Sequence, residues 1–248
     1  DIEYIQGVAK VVSSNKLEVE FDNVASSYEC NNIIIATGAR PKYFPGMEPD
    51  GKNIITYKEA MSLDKQPKSL VIIGAGAIGI EFADFYNNFG TEVTVIEALS
   101  NILPVEDQEV SSELSSIFKK RKINIKTNSM VEKIKSSKTK VKVYLKGGEV
   151  IDAEKALVAI GVIGNTENLG LEDLGVSIAN GAIEVNQYMQ TNINNIYAIG
   201  DVSGPPWLAH VASAEGMVAA EHLSGNNTAG MDYDNIPGCT YCHPEVAS

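Results

Sequence analysis

Cysteine is scarce: only Cys30, Cys239 and Cys242 occur in 248 residues. Three scattered thiols cannot staple a small secreted fold, which favours a reducing compartment and sets the expected location in the cytoplasm, or in the mitochondrial matrix of a eukaryote. Long apolar runs are lacking too, and no segment approaches the roughly 18 residues that a membrane helix needs. The opening residues, with Asp1 and Glu3, do not resemble a signal peptide. Positive charge is in deficit, 20 Lys and Arg against 32 Asp and Glu for a formal net charge of −12, which argues against a nucleic-acid partner. The one compact basic run, Lys119-Lys120-Arg121-Lys122, reads as a solvated helix end. An initiator Met is missing, and the last residues stop inside what reads as the start of a new element, so the expectation is a piece of a longer protein. What remains is ordinary. A hydrophobic content of 44% can build a core, and the length suggests one or two domains.

The most informative stretch is Lys68 to Glu97. Leu70, Val71, Ile72 and Ile73 read as a buried parallel strand that runs into Gly74-Ala75-Gly76-Ala77-Ile78-Gly79. An amphipathic helix is predicted as far as Phe89 and is stopped by Gly90, where a positive φ is usual. Val93 to Glu97 then forms a second strand ending in a carboxylate. In such a βαβ unit Gly74 permits the tight turn, Gly76 lets a pyrophosphate approach the backbone, and Gly79 lets the helix pack close to the sheet. The free N–H groups and the positive helix end face the phosphates. Glu97 lies 18 residues beyond Gly79, where an acid accepts hydrogen bonds from the adenosine ribose. No Lys or Arg occurs from Glu97 to Asp107, so a 2′-phosphate would meet repulsion and no cation. These residues predict NAD rather than NADP. A lone glycine fingerprint is also what an ordinary Gly-rich turn looks like; here strand, glycines, helix, second strand and acid arrive in order.

The flanking chain repeats itself. Val8, Val11, Val12, Leu17, Val19 and Phe21 suggest a small antiparallel meander, followed by a buried strand Asn32 to Ala36 that ends in Thr37-Gly38. A second meander around Val131, Ile134, Val141, Val143 and Leu145 leads to the strand Ala156 to Ile160 and to Gly161. Val8 and Val131, Val11 and Ile134, Ala36 and Ala159, Gly38 and Gly161 share an offset of 123 residues. An internal duplication is the expected cause, and it predicts another Gly-x-Gly-x-x-Gly upstream of Asp1. Further on, Ile196 to Ile199 reads as a buried strand with Asp201 at its C-terminal end, where open α/β sheets bind ligands. A helix is predicted from Leu208 to Leu223, its N-terminus just beyond Asp201 and suited to negative charge on a cofactor ring. His222 reads as a solvated residue favoured by the helix dipole.

Ala36-Thr37-Gly38, the fingerprint with Glu81, Thr191 to Asp201, and Pro205-Pro206-Trp207-Leu208-Ala209-His210 together resemble the two-dinucleotide-binding flavoprotein disulfide reductases. The likeness covers nearly the whole chain. It is nearest to members that oxidise dihydrolipoamide, in which a segment similar to His243–Ser248 opens the dimerisation domain. The resemblance implies an α/β fold, Rossmann-like βαβ with antiparallel β-meanders, cut at both ends. It divides the chain into residues 1–65, part of an FAD-binding domain; 66–162, an NAD-binding domain; 163–232, the remainder of the FAD-binding and central region; and 233–248, the start of the dimerisation domain. FAD and NAD are the implied cofactors. Asp201 would hold a ribityl hydroxyl of FAD, Thr37 and Gly38 would lie near its pyrophosphate, and the backbone at Leu208, Ala209 and His210 would meet the flavin. Gly76 to Ile78 would lie at the NAD pyrophosphate, Glu97 at its ribose, Glu81 near the nicotinamide and Gly161 along the bound NAD. The implied partners are dihydrolipoamide carried on a lipoyl domain, a 2-oxoacid dehydrogenase complex and, for the full-length parent, a second copy of itself.

There are departures. Val162-Ile163-Gly164-Asn165 stands where the family often has an Arg and a Pro. The redox pair of two cysteines with four residues between them is absent from this stretch, as are the first FAD fingerprint and the C-terminal His and Glu that serve the thiol chemistry. The piece is therefore expected to be inactive alone and to carry no catalytic residue. Cys239 and Cys242 form a Cys-x-x-Cys whose spacing and place differ from that pair, and no second pair completes a zinc site. A structural or incidental role is expected for them. In the rival readings the parent acts on another disulfide, or the chain is a non-catalytic NAD-binding redox sensor that uses these two thiols.

Overall fold

The computed structural model describes residues 2–248. The chain forms two compact units: one comprises the residues up to Arg40 and Ile163–Ile236, the other Pro41–Val162 and Pro237–Ser248.

The first unit opens with β1 (Val8–Ser13), β2 (Lys16–Phe21) and β3 (Val24–Glu29), an antiparallel meander in that order. The third strand was not foreseen, because Val24-Ala25-Ser26-Ser27-Tyr28-Glu29 lies almost entirely in solvent and carries no hydrophobic alternation. β4 (Ile33–Ile35) and β5 (Ala39–Pro41) follow.

The second unit begins with β6 (Ile54–Ile55) and the short helix α1 (Tyr57–Ala60), then β7 (Ser69–Ile73), α2 (Ala77–Asn88), β8 (Glu92–Ile96), α3 (Gln108–Lys120) and β9 (Asn124–Lys126). The second meander, β10 (Val131–Ser136), β11 (Val141–Leu145) and β12 (Val150–Ala153), leads to β13 (Lys155–Val158). Five strands pair in the order β6-β13-β7-β8-β9, and every pairing is parallel.

The apolar run of β7 is buried because both faces of this sheet are covered. Leu70 and Ile72 join a core with Ala83 and Tyr86 of α2 and Leu114 and Phe118 of α3. Val71 and Ile73, pointing the other way, join Val141, Val143 and Leu145 of the second meander. Helices thus lie on one face and a small antiparallel sheet on the other. Gly90 ends α2 with φ +88°, as its position predicted.

Returning to the first unit, β14 (Val162–Gly164) pairs with β5, and β15 (Ile178–Ala179) pairs with β16 (Ala182–Ile183). β17 (Ile196–Ala198) runs parallel to β4, and α4 (Ala209–Leu223) follows. Ile33, Ile35, Ile196 and Ala198 pack with Leu171, Val176 and Ile183, whereas Tyr197 packs with Ala219 of α4. β1 and β10, and β5 and β14, keep the 123-residue offset, and each meander is followed by a strand with a parallel partner, β17 for β4 and β6 for β13.

Two boundaries differ from the sequence reading. Residues 41–65 belong with the five-stranded sheet, since Ile54 and Ile55 pair with Ala156 and Leu157 of β13. Residues 237–248, which form β18 (Cys239–Thr240) and β19 (Val246–Ala247), pack on the same unit through Cys242 and Val246. Arg121 holds them there: Nη1 donates to the His243 carbonyl at 2.7 Å and Nη2 to Asn88 Oδ1 at 2.9 Å. The same Nη1 lies 2.5 Å from Asp84 Oδ1 as an ion pair, off the hydrogen-bond direction. Arg121 is therefore a fixed tether, while Lys119, Lys120 and Lys122 around it are solvated as expected. No helix among the described residues is long and apolar enough to cross a membrane.

Candidate functional site

In the second unit the ends of three adjacent parallel strands come together. Register pairs Ile73 with both Val158 and Ile96, so Gly74, Gly161 and Glu97 leave the sheet at the same C-terminal edge. Each fingerprint glycine has a separate geometric reason. Gly74 has φ +103°, and a Cβ there would fall 2.4 Å from the Ala159 carbonyl oxygen. A Cβ on Gly79 would fall 2.0 Å from the Gly74 carbonyl oxygen, so the first turn of α2 lies directly against the loop. At Gly76 a Cβ would meet nothing within 4 Å, and φ is −73°. The fold itself does not require glycine there; the open space above the backbone is what distinguishes it.

α2 starts at this opening without a side-chain cap and without an acid in its first turn. Among the described residues, the amides of Gly76, Ala77 and Ile78 have no hydrogen-bond acceptor. By contrast α1 is closed by Thr56 in a capping box with Glu59, and α3 by Asp107. Free amides and a positive helix end beside open space are the features that hold an anion at a helix start, and the residues fit the diphosphate of a dinucleotide.

Glu97 is buried, and both carboxylate oxygens are engaged. Oε2 accepts the Ala75 amide at 2.8 Å and Oε1 accepts the Leu99 amide at 2.8 Å. The acid braces the glycine loop, a duty its spacing did not announce. Each oxygen keeps a further lone pair that can accept another hydrogen bond. The nearest cation by sheet register, Lys126 beside Ile96, turns its ammonium to Glu149 at 2.8 Å. Glu81 accepts the Tyr241 amide at 2.8 Å through Oε1, and Gly161, with φ +108° and open space around its Cα, accepts the Lys42 amide at 2.9 Å.

In the first unit, Thr37 and Asp201 leave β4 and β17 at one end of the parallel pair, where Ile35 is opposite Ala198. The Thr37 hydroxyl is used inside the unit, donating to the Asn165 carbonyl at 2.8 Å; Asn165 in turn donates its side-chain amide to the Thr37 carbonyl and its backbone amide to the Gly38 carbonyl. Gly38, with φ +68°, faces open space. The Asp201 carboxylate, half-buried in the turn Gly200–Ser203, has no hydrogen-bond or ion-pair partner among the described residues. α4 begins at Leu208, likewise without a side-chain cap or an acid in its first turn, and Ala209 and His210 are exposed. The two uncapped helices are thus the two that the sequence assigned to cofactors.

Some side chains escaped the sequence reading. Arg40 stands near the departures at residues 162–165: its guanidinium donates to the Gly164 carbonyl at 3.0 Å and Asn165 Oδ1 at 3.2 Å, and it pairs with Glu167, whose carboxyl it holds below the usual range. Glu215 is buried on α4 beside the Asp201 turn. His222 is not simply solvated: its ring stacks on Tyr188 and Nδ1 meets the Tyr197 hydroxyl at 2.8 Å. Cys242 is buried, and its thiol is pushed up to about 11, first by burial and then by the charges of Asp84 and Glu81. All three cysteines are free.

A parallel sheet with helices, a glycine loop at its C-terminal edge and an acid on the next strand are the features of the dinucleotide-binding type of α/β fold. Comparison with known proteins narrows this. Residues 1–216 match the pyridine nucleotide-disulphide oxidoreductases, and the chain belongs to that family. It is 48% identical over 227 residues to a dihydrolipoyl dehydrogenase of Rhizobium etli, covering 90% of this chain and 47% of the relative. It is 43% identical to a dihydrolipoyl dehydrogenase of Zymomonas mobilis, covering all of this chain and 54% of the relative. The crystal structure of LpdA from Mycobacterium tuberculosis is 29% identical and superposes with a TM-score of 0.92 over 98% of this chain and 55% of that one. The chain spans about half the length of the curated relatives it matches.

Proposed function

We propose that the chain supplies the NAD site and part of the FAD site of a reductase that oxidises dihydrolipoamide, carried on a lipoyl domain of a 2-oxoacid dehydrogenase complex, and that works as a homodimer. When bound, the two cofactors supply the electron transfer from dithiol to NAD. The observation that carries the reading is the uncapped start of α2: the amides of Gly76, Ala77 and Ile78 have no acceptor among the described residues, the space at the Gly76 Cβ position is open, and Glu97 is bonded to the adjoining Ala75 amide. They bind the diphosphate of NAD. Glu97 orients the adenosine ribose and discriminates against a 2′-phosphate, since Lys126 is committed to Glu149. Gly161 lets the cofactor pass over the backbone, and Glu81 lies one helical turn beyond Ala77 on the approach to the nicotinamide. On the flavin side, Gly38 meets the FAD diphosphate, Asp201 accepts a ribityl hydroxyl and the amides of Ala209 and His210 stabilise negative charge on the ring.

In support, the relatives named above are dihydrolipoyl dehydrogenases. The reading in which Cys239 and Cys242 form a redox sensor gains nothing from Cys242, because a buried thiol pushed up to about 11 gives little thiolate at neutral pH. Titration of this chain with NADH and NADPH by nucleotide fluorescence tests the proposal. NADH should bind at least tenfold more tightly, and dihydrolipoamide oxidation should be absent; equal binding, or turnover by this chain alone, overturns it.

A further inference from the structure

Glu215 is only 3% exposed, lies on α4, and has no cation within ion-pair distance among the described residues. Burying a carboxylate is unfavourable unless its hydrogen bonds are satisfied, so the partners of this one identify what it is for. Both are donors. Oε2 accepts the Gly200 amide at 2.6 Å, and Oε1 accepts the Tyr233 hydroxyl at 2.7 Å. Burial and the adjoining Glu215 push the Tyr233 phenol up, so its proton stays available for donation.

Gly200 is the residue before Asp201 and has φ +71°, a left-handed conformation that starts the turn Gly200–Ser203. Pinning its amide to α4 fixes the direction in which β17 delivers Asp201. Within the turn, the Ser203 hydroxyl donates to the Gly200 carbonyl at 2.7 Å and the Gly204 amide to the Asp201 carbonyl at 3.4 Å. The Asp201 carboxylate itself has no partner among the described residues, and the Glu215 bond is the one that ties the turn to α4. The same glutamate is anchored on the helix whose exposed N-terminus begins at Leu208. One buried side chain therefore joins the two elements that converge on the proposed flavin site, and Tyr233 closes it from the following segment.

We infer that Glu215 is a positioning residue for Asp201, holding the Gly200 amide so that the Asp201 carboxylate is presented to a polyol chain of the bound flavin nucleotide. The inference rests on the FAD reading above. It acts through backbone geometry and involves no contact of Glu215 with the cofactor.

The first test uses this chain and no cofactor. In the wild-type chain the Gly200 amide should exchange its hydrogen slowly, and Glu215→Ala should speed that exchange at least tenfold. Glu215→Gln, whose carbonyl oxygen can still accept, should restore most of the protection. Rapid exchange in the wild type, or no difference in Glu215→Ala, overturns the inference. The second test measures FAD dissociation from the full-length protein that carries this chain. Asp201→Ala and Glu215→Ala should each weaken FAD about tenfold, the size of a lost charge-assisted hydrogen bond. The double variant should be no weaker than Asp201→Ala alone, because both act through one contact. Multiplying effects would overturn the positioning role. If Asp201→Ala itself leaves FAD binding unchanged, it is the FAD reading that fails, while the exchange result stands apart from it.

Discussion

The Glu97 carboxylate reaches back from the end of β8 to accept the Ala75 amide, 22 residues earlier in the chain, at 2.8 Å. The bond welds the acid to the glycine loop, so the group that reads the sugar also sets the loop that reads the diphosphate. Replacing Glu97 by Ala should therefore weaken NADH by more than the tenfold expected of a lost ribose contact. NADPH should lose less, narrowing the preference. Paired fluorescence titrations of the two nucleotides check this.

Gly76 and Gly79 separate binding from folding. Gly76→Ala puts a methyl into open space at an ordinary φ, so the thermal midpoint should move by no more than the effect of about 0.5 kcal/mol, while NADH binding falls at least tenfold. Gly79→Ala drives a methyl to 2.0 Å from the Gly74 carbonyl, and the loss of stability should reach about 3 kcal/mol, the upper end of overpacking. Calorimetry and titration of both variants give the comparison.

Removing Arg121 leaves Asp84 in an apolar setting without its cation. Their side chains are 22% and 11% exposed, so Arg121→Met should cost roughly 2–3 kcal/mol, below the range of a fully buried pair. It should also release residues 237–248 to proteolysis. A second change, Asp84→Asn, should recover part of the stability. Denaturant unfolding of the single and double variants measures both effects.

Cys242 makes stability depend on alkaline pH. Its thiol titrates near 9 in an ordinary setting and near 11 in the fold, so the unfolded chain ionises first. This contribution is complete below pH 9, declines as pH rises from 9 to 11, and is lost above that. Unfolding curves at pH 8, 9.5 and 11 should show a decline that is smaller in Cys242→Ala. At pH 8 a thiol reagent should label Cys239 well before Cys242.

The βαβ unit was legible because its signals are local. Apolar residues alternate between two cores, glycines sit at fixed spacing, and an acid ends the second strand. The starts of α2 and α4 were placed by the glycine fingerprint and by the position just beyond Asp201, whereas that neither carries a side-chain cap is seen only in the fold. β3 was hidden because a solvent-exposed strand has no pattern to read. The placement of residues 41–65 with the parallel sheet depends on the pairing of Ile54 with Ala156, about 100 residues away, which no local period encodes. Nothing local marks Glu215, because its partners Gly200 and Tyr233 lie 15 residues before it and 18 after it. Arg121 was read with its lysine neighbours as solvated, since only the fold brings Asp84 and His243 to it.

The most direct measurement is a crystal of this chain soaked with NADH. The diphosphate should lie within hydrogen-bond distance of the Gly76, Ala77 and Ile78 amides, with the adenosine ribose on Glu97. A nucleotide bound elsewhere, or a crevice filled by side chains at saturating NADH, would contradict the account.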